Sequence, residues 1–353
     1  MSQATLTQSP EDSLLLKVLR GTPTARPPIW LMRQAGRYLP EYQAVRAEAG
    51  DFLSLCFTPE LAAEVTLQPI RRFGFDAAIL FSDILTVPWA LDRGVRFVAG
   101  EGPRLDPLDD LSRLPDMSPD RVVDRLAPVY QAAERTRAAL PDDVPLIGFA
   151  GAPWTVACYM IEGSGSRDFA VARKAAYADP TGFRALIEGL AAITAHHLAA
   201  QIRAGAAVVQ VFDSWAGVLA PQQFRDWVIG PTAQIVARLR GLVGDDVPII
   251  GFPRGGGAMI PAYVAETGVD AVGLDTTVDP AWAARTFGAD VPLQGNLDPM
   301  ALVAGGAVLD RAVESILQSL EGRAHVFNLG HGVVPETPID HVLQLIDRVR
   351  TGT

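Results

Sequence analysis

The sequence predicts an α/β fold: a single-domain (β/α)8 TIM barrel with its active site at the C-terminal ends of the strands. Three observations carry this. Eight short apolar, strand-like runs recur along the chain, Ala-rich segments of helical periodicity lie between them, and most runs end in a polar residue suited to chemistry. Alternating strands and helices imply parallel strands joined by right-handed crossovers.

In order, Pro28–Met32 leads to Arg33, Gln34 and Arg37, and Ala77–Phe81 leads to Ser82 and Asp83. Leu146–Ala150 leads to Gly151 and, further on, Tyr159; Val208–Phe212 leads to Asp213 and Ser214. Ile249–Phe252 precedes Arg254, Ala271–Leu274 precedes Asp275, Pro292–Gln294 precedes Asn296, and His325–Leu329 precedes His331. Turn signals bound these runs, such as Asp246-Val247-Pro248 before the fifth and Asp290-Val291-Pro292 before the seventh. The clearest helix is Phe183–Ala204, with Leu186, Leu190, Ile193, His197 and Ile202 on one side. Between Leu85 and Val144 the gap exceeds one helix. Its Gly94–Phe97 and Gly100–Pro103 stretch reads as an inserted hairpin before a helix around Arg121–Leu140. No linker, low-complexity tract or repeat divides the chain, so residues 1–353 read as one barrel domain, the first 20 or so an extra amphipathic helix or tail.

Composition narrows the function classes. Of the 353 residues, 49% are apolar and 20% charged, ordinary for a globular protein with a large core. No run of about 18 uncharged apolar residues suggests a membrane span. The N-terminus has Glu11 and Asp12 before a short Leu14–Leu16 patch and does not read as a secretory signal. Cys56 and Cys158 lie far apart, outside any CxxC pair and away from a His at metal-ligand spacing. They read as reduced, structural thiols of a cytoplasmic protein, and no metal site is expected. A net charge of −10 argues against nucleic acid. It also means that an anionic substrate must be held by a local basic pocket.

Arg33 and Arg37 bracket Gln34-Ala35-Gly36. Guanidiniums four residues apart can share one side of a helical turn, and each can grip a carboxylate or phosphate bidentately. Structural salt bridges are the alternative; a place at a strand's C-terminal end favours anion binding. Asp83 sits between apolar neighbours, where a carboxylate must be paired or used. Asp275 and Asp298 are weaker candidates of the same kind. Tyr159 reads first as core packing with a satisfied hydroxyl. Ser214 lies outside any Gly-x-Ser-x-Gly elbow, which favours a hydrogen-bonding role. The run Gly251–Gly257, containing Arg254, matches neither a P-loop nor a dinucleotide fingerprint. A phosphate cradle, room for a large ligand and a plain loop all remain open for it. His331 is the histidine placed at a strand end; His196 and His197 sit mid-helix and read as structural.

These residues resemble one family closely. The segment Pro28-Ile29-Trp30-Leu31-Met32-Arg33-Gln34-Ala35-Gly36-Arg37-Tyr38-Leu39-Pro40-Glu41-Tyr42 is similar to the N-terminal signature of the uroporphyrinogen decarboxylases. Further matches are Phe81–Leu85, Gly151–Thr155, Phe212–Gly217, Gln294–Pro299 and Asn328–Gly332, so the resemblance runs from about residue 27 to 340 in family order. One departure is Arg254, where many members carry a lysine.

The resemblance implies a (β/α)8 barrel, a cytoplasmic homodimer, and no cofactor or metal. The implied lyase reaction removes carboxyl groups from the four acetate side chains of uroporphyrinogen III, giving coproporphyrinogen III in heme biosynthesis. Carried over position by position, the substrate contacts fall on Arg33, Gln34, Ala35, Gly36, Arg37, Phe52, Asp83, Tyr159, Ser214 and His331, with Asp83, Arg33 and Arg37 as the catalytic set. Phe52 comes from the resemblance alone. Two rivals remain. A corrinoid-dependent methyltransferase of the same superfamily would need a zinc site with a His and two Cys, and a non-catalytic porphyrin carrier would bind without releasing CO2.

Overall fold

The computed structural model describes residues 13–98 and 100–352; Glu11 and Asp12 lie outside the described residues. Short, almost wholly apolar strands form one parallel sheet of seven. They are β1 (Ala78–Ile79), β4 (Leu146–Gly151), β5 (Val208–Asp213), β6 (Ile249–Pro253), β7 (Ala271–Gly273), β8 (Leu293–Gln294) and β9 (His325–Val326), paired in that order. Each pairs with its sequence neighbour, as in Phe149 opposite Gln210 and Phe212 opposite Phe252. The sheet curls around its inward-facing side chains and is covered outside by helices. That explains why its strands read as continuous apolar runs instead of alternating ones.

The first predicted run, Pro28–Met32, is not a full strand. Pro27 and Pro28 lack the N–H a ladder needs. What remains is one parallel bridge from Ile29 to Phe327, with Trp30 N donating to Phe327 O. On its other side the Ile29 carbonyl accepts from Asp76 N at 2.9 Å, and the Asp76 carboxylate accepts from Ile29 N at 2.8 Å. Arg26 anchors that carboxylate with a 2.7 Å ion pair. The segment thus lies between β9 and β1.

The inserted hairpin is present as β2 (Arg96–Val98) paired antiparallel with β3 (Gly102–Arg104). It is tied back to the body where Leu105 N donates to Gly163 O at 2.8 Å. The single helix expected over Arg121–Leu140 is two, Pro119–Arg125 and Ala127–Ala139, because Pro128 cannot continue the preceding turn. The long helix runs Pro180–Arg203, started by the Asp179 side chain accepting from Gly182 N at 2.9 Å. Its buried face includes Leu186, Leu190, Ile193 and His197, while Ile202 is only half-buried. His197 joins Tyr130 (2.9 Å) and Gln201 (3.0 Å), and burial holds its pKa down to about 4. It is a neutral structural histidine. Within the described N-terminal part, the helix Leu14–Leu19 buries Leu15, Leu16, Val18 and Leu19 in a cluster with Trp30, Ile147, Val208 and Val326, closing the end of the sheet opposite the site. Cys56 and Cys158 are both buried and unbridged.

Candidate active site

Above the C-terminal ends of the strands opens a cavity of about 450 Å3. Its basic wall comes from the turn after Ile29. This turn is not helical; the helix begins only at Pro40, whose ring suits a helix start. Loop geometry, not a helical turn, aims the two guanidiniums. Arg33 adopts φ 59°, a left-handed conformation that costs a non-glycine residue roughly 1–2 kcal/mol. It is held there by Gln34 N donating to Leu31 O at 2.9 Å and by Val333 N donating to Met32 O at 2.9 Å. The Arg33 stem lies across Gly332, where an added Cβ would stand 2.4 Å from Arg33 Cδ. Arg33 and Arg37 are both exposed and both line the cavity. Among the described residues, neither has a carboxylate within ion-pairing distance. The salt-bridge alternative is therefore not what the structure adopts.

Gln34 does not face the cavity. Its side chain is fully buried, accepting from Leu31 N at 3.1 Å and donating to Ala77 O at 3.2 Å. It shapes the Arg33–Arg37 turn from behind and stitches it to the residue before β1. Ala35 and Gly36 do line the cavity through the same turn.

The loop after β1 carries Phe81, Ser82 and Asp83 into the cavity. Asp83 Oδ1 accepts from Leu85 N at 2.8 Å, and its backbone carbonyl accepts from the Thr86 hydroxyl at 2.8 Å, so the carboxylate is rigidly presented. Burial drives its pKa up to about 6, against the opposing pull of the Leu85 hydrogen bond and the Arg33 charge. Its remaining accessible surface opens into the cavity.

Around this carboxylate the walls are aromatic. Phe52 packs on Phe97 of the hairpin (centroids 4.4 Å) and on Phe81 (5.8 Å), and Phe149, Phe212 and Phe252 line the floor from β4, β5 and β6. Arg46 stands over the Phe52 ring at 6.0 Å, a third guanidinium near the basic wall that sequence spacing did not single out. Tyr159, on the helix Pro153–Glu162, meets Phe169 and Trp215 edge-on and lines the cavity, so it is not simply core packing. Burial raises its pKa further above the ordinary phenol value. Ser214 and His331, which follow β5 and β9, also line the cavity. Burial, then the charges of Arg33 and Arg254, lower His331 to about 4, so it is a neutral imidazole at ordinary pH.

Several residues placed at or just beyond strand ends stay out of the cavity lining. Asp275 is buried, accepting from Gly255 N at 2.6 Å and from Thr277 N at 2.8 Å. Asn296 donates to the Asp275 and Val278 carbonyls, each at 2.7 Å. Arg254 turns toward the Ser214 carbonyl (3.4 Å) and the Trp215 ring (5.9 Å). Asp298 caps a helix at Met300 N, 2.8 Å away. The Gly251–Gly257 run is a loop that Asp275 organises, with Gly255 packed against Gly217. Among the described residues, no group of three or more His, Cys, Asp or Glu could hold a metal ion, and no helix is long and apolar enough to cross a membrane.

An electropositive mouth, an aromatic body and one central carboxylate suit a flat, polyanionic substrate that becomes cationic during reaction. Comparisons agree in kind. Over 340 residues the chain is 58% identical to a uroporphyrinogen decarboxylase of Rhizorhabdus wittichii and 56% identical to one of Sphingopyxis alaskensis, covering 96% of this chain and 98% of each relative. One from Rhodospirillum rubrum is 51% identical over 350 residues, 99% of both chains. Among solved structures, a methyltransferase from Methanosarcina mazei superposes with a TM-score of 0.81 at 18% identity, covering 96% of this chain and 99% of that one. That likeness concerns the fold. The family model described as uroporphyrinogen decarboxylase matches residues 10–352, and the chain belongs to that family.

Proposed function

We propose that this chain is the carboxy-lyase that removes CO2 from the four acetate side chains of uroporphyrinogen III, giving coproporphyrinogen III in porphyrin and heme biosynthesis. One observation carries the reading: Asp83, which among the described residues has no ion-pair partner, stands in an aromatic cavity also lined by Arg33 and Arg37, likewise without ion-pair partners among those residues.

Loss of CO2 from a pyrrole acetate would leave a carbanion unless the ring first takes a proton at carbon. The protonated ring is an iminium-like electron sink. The C–C bond to the carboxylate then breaks, its electron pair flows into the ring and CO2 departs. The exocyclic methylene so formed takes a proton and becomes a methyl group, and the ring proton is lost. Protons balance over the cycle apart from the one that replaces CO2. The substrate supplies its own sink, which makes the reaction cofactor-independent.

Each chain group has a role in this scheme. Asp83 faces the pyrrole N–H groups and stabilises the ring while it is cationic. A preorganised charge of this kind contributes about 3–4 kcal/mol. Arg33 and Arg37 bind substrate carboxylates, each charge-assisted contact giving roughly 1.5–3 kcal/mol. Phe52 stacks against the macrocycle edge, and Ala35 and Gly36 let it approach the backbone. Tyr159, Ser214 and neutral His331 orient carboxylates by hydrogen bonding. Gln34 acts from behind, by holding the arginine turn.

The bridged Ile29 segment serves as the eighth strand, so that the seven-stranded sheet closes as a (β/α)8 barrel and the chain melts as one domain. The protein works as a cytoplasmic homodimer, for which light scattering should return twice the 37.7 kDa of the chain. Its net charge of −10 keeps it off nucleic acid.

The test is anaerobic incubation with uroporphyrinogen III after treatment with a chelator, then separation of the oxidised porphyrins by carboxyl number. Stepwise seven-, six-, five- and four-carboxyl products establish the reaction. Binding without carboxyl loss would instead make the chain a carrier.

A further inference from the structure

Behind the cavity wall, a side chain that does not itself line the cavity spans a residue that does. Ser214 lines the cavity, and its hydroxyl has no hydrogen-bond partner among the described residues. The residues on either side of it are joined by one group, the Thr155 hydroxyl. Thr155 Oγ1 donates to Asp213 Oδ1 at 2.5 Å and accepts from Trp215 N at 3.1 Å. Thr155 and Asp213 are 0% and 1% exposed, so water does not compete for either bond. Further bonds fix the same three residues from outside: Arg254 N donates to Asp213 O at 3.1 Å, and Trp154 Nε1 donates to Trp215 O at 3.0 Å.

Stability does not account for this arrangement. Among the described residues Asp213 has no ion-pair partner, and its Oδ2 is buried without a hydrogen bond. A buried carboxyl in such surroundings costs free energy that an apolar side chain of similar shape would avoid. What the carboxyl does supply is an acceptor that orients the Thr155 proton, leaving the Thr155 lone pair for Trp215 N. The hydroxyl then has one orientation, and the Ser214 backbone has one position.

We propose that Thr155, oriented by Asp213, is a positioning residue that holds the Ser214 hydroxyl at the place where it meets a substrate carboxylate. The inference rests on the reading of Ser214 as a substrate contact. A hydroxyl displaced by a fraction of an ångström loses its hydrogen bond while the wall remains intact.

Four variants test it with uroporphyrinogen III as the probe: Thr155→Val, Thr155→Ser, Ser214→Ala and the Thr155→Val/Ser214→Ala double. Thr155→Val keeps the shape and removes the bridge. It should raise KM about 10-fold, with a smaller change in kcat. Thr155→Ser keeps the hydroxyl and should restore KM to within about 2-fold of wild type, which a packing role for the threonine methyl would not do. The double variant should match Ser214→Ala alone, because the bridge acts only through that serine. Should the valine variant fail to fold, Thr155→Ala gives the same contrast with Thr155→Ser.

A normal KM for Thr155→Val beside a raised one for Ser214→Ala would overturn the bridge and leave the serine contact standing. A normal KM for Ser214→Ala would remove the contact and the inference with it. Multiplied effects in the double variant, or a Thr155→Ser enzyme as impaired as Thr155→Val, would reduce Thr155 to a packing residue.

Discussion

Asp83→Asn separates the catalytic worth of a charge from its structural cost. Raising the Asp83 pKa from the ordinary 3.8 to about 6 means that keeping it ionised in the free site costs about 3 kcal/mol, at 1.36 kcal/mol per pKa unit. Burial is the cause, and a cationic pyrrole set against the carboxylate relieves it. A comparable energy is thus available to stabilise the protonated ring, which corresponds to a loss of about 10²–10³ in kcat on removing the charge. Asparagine keeps Oδ1 as acceptor for Leu85 N, so the loop geometry should survive. The same shift makes a stability prediction of opposite sign. A carboxyl whose folded pKa lies above its unfolded one loses stability as pH rises from about 3.8 through about 6. At pH 8 the asparagine variant should therefore melt at least as high as wild type, its advantage vanishing near pH 4. The assay is anaerobic turnover with porphyrins separated by carboxyl number, together with melting at both pH values. Turnover within a few-fold of wild type, in a variant that melts normally, would show that Asp83 carries no charge-stabilising role.

Further expectations follow from the same geometry. The acid limb of kcat/KM should fall near pH 6 as free-enzyme Asp83 protonates, and His331→Ala should leave that limb in place because His331 is already neutral above about 4; a limb that vanishes with His331 would reassign it. Asp213, pushed up to about 7 by burial, titrates nearby, and Asp213→Asn should also keep the limb. Arg37→Ala should raise KM about 10-fold or more while largely sparing kcat; unchanged kinetics would end its role as a carboxylate clamp. Gly332→Ala places a Cβ 2.4 Å from Arg33 Cδ and should raise KM by displacing that guanidinium, with little change in melting temperature; normal binding would mean that the Arg33 stem relocates freely.

Much of this protein is set locally and is therefore readable in one dimension. Strands buried on both faces must be apolar throughout, so the runs at Ala77, Leu146, Val208 and Ile249 announce themselves. Residues that follow such runs fall at one end of the sheet by topology, which places Arg33, Arg37, Asp83, Ser214 and His331 together before any coordinates are known. The family signature adds Phe52, which no spacing rule reaches, since it joins the wall through Phe97 of an inserted hairpin.

Other features depend on contacts between distant segments. Asn296 and Asp275 occupy strand ends like those of Asp83 and Ser214, yet each turns to bind loop backbone, because the neighbouring β-strand loop offers it donors or acceptors. Gln34 sits between two cavity arginines, yet its amide pairs with Leu31 and Ala77 and leaves the cavity. Periodicity places a side chain on a face or at an end. Whether it points at substrate is decided by which partners the fold brings within hydrogen-bonding reach, and those partners come from segments far apart in sequence. The pKa of Asp83 belongs to the same class: the carboxyl is written in the chain, but the apolar surroundings that make it reluctant to ionise exist only once the curled sheet and its loops pack around it.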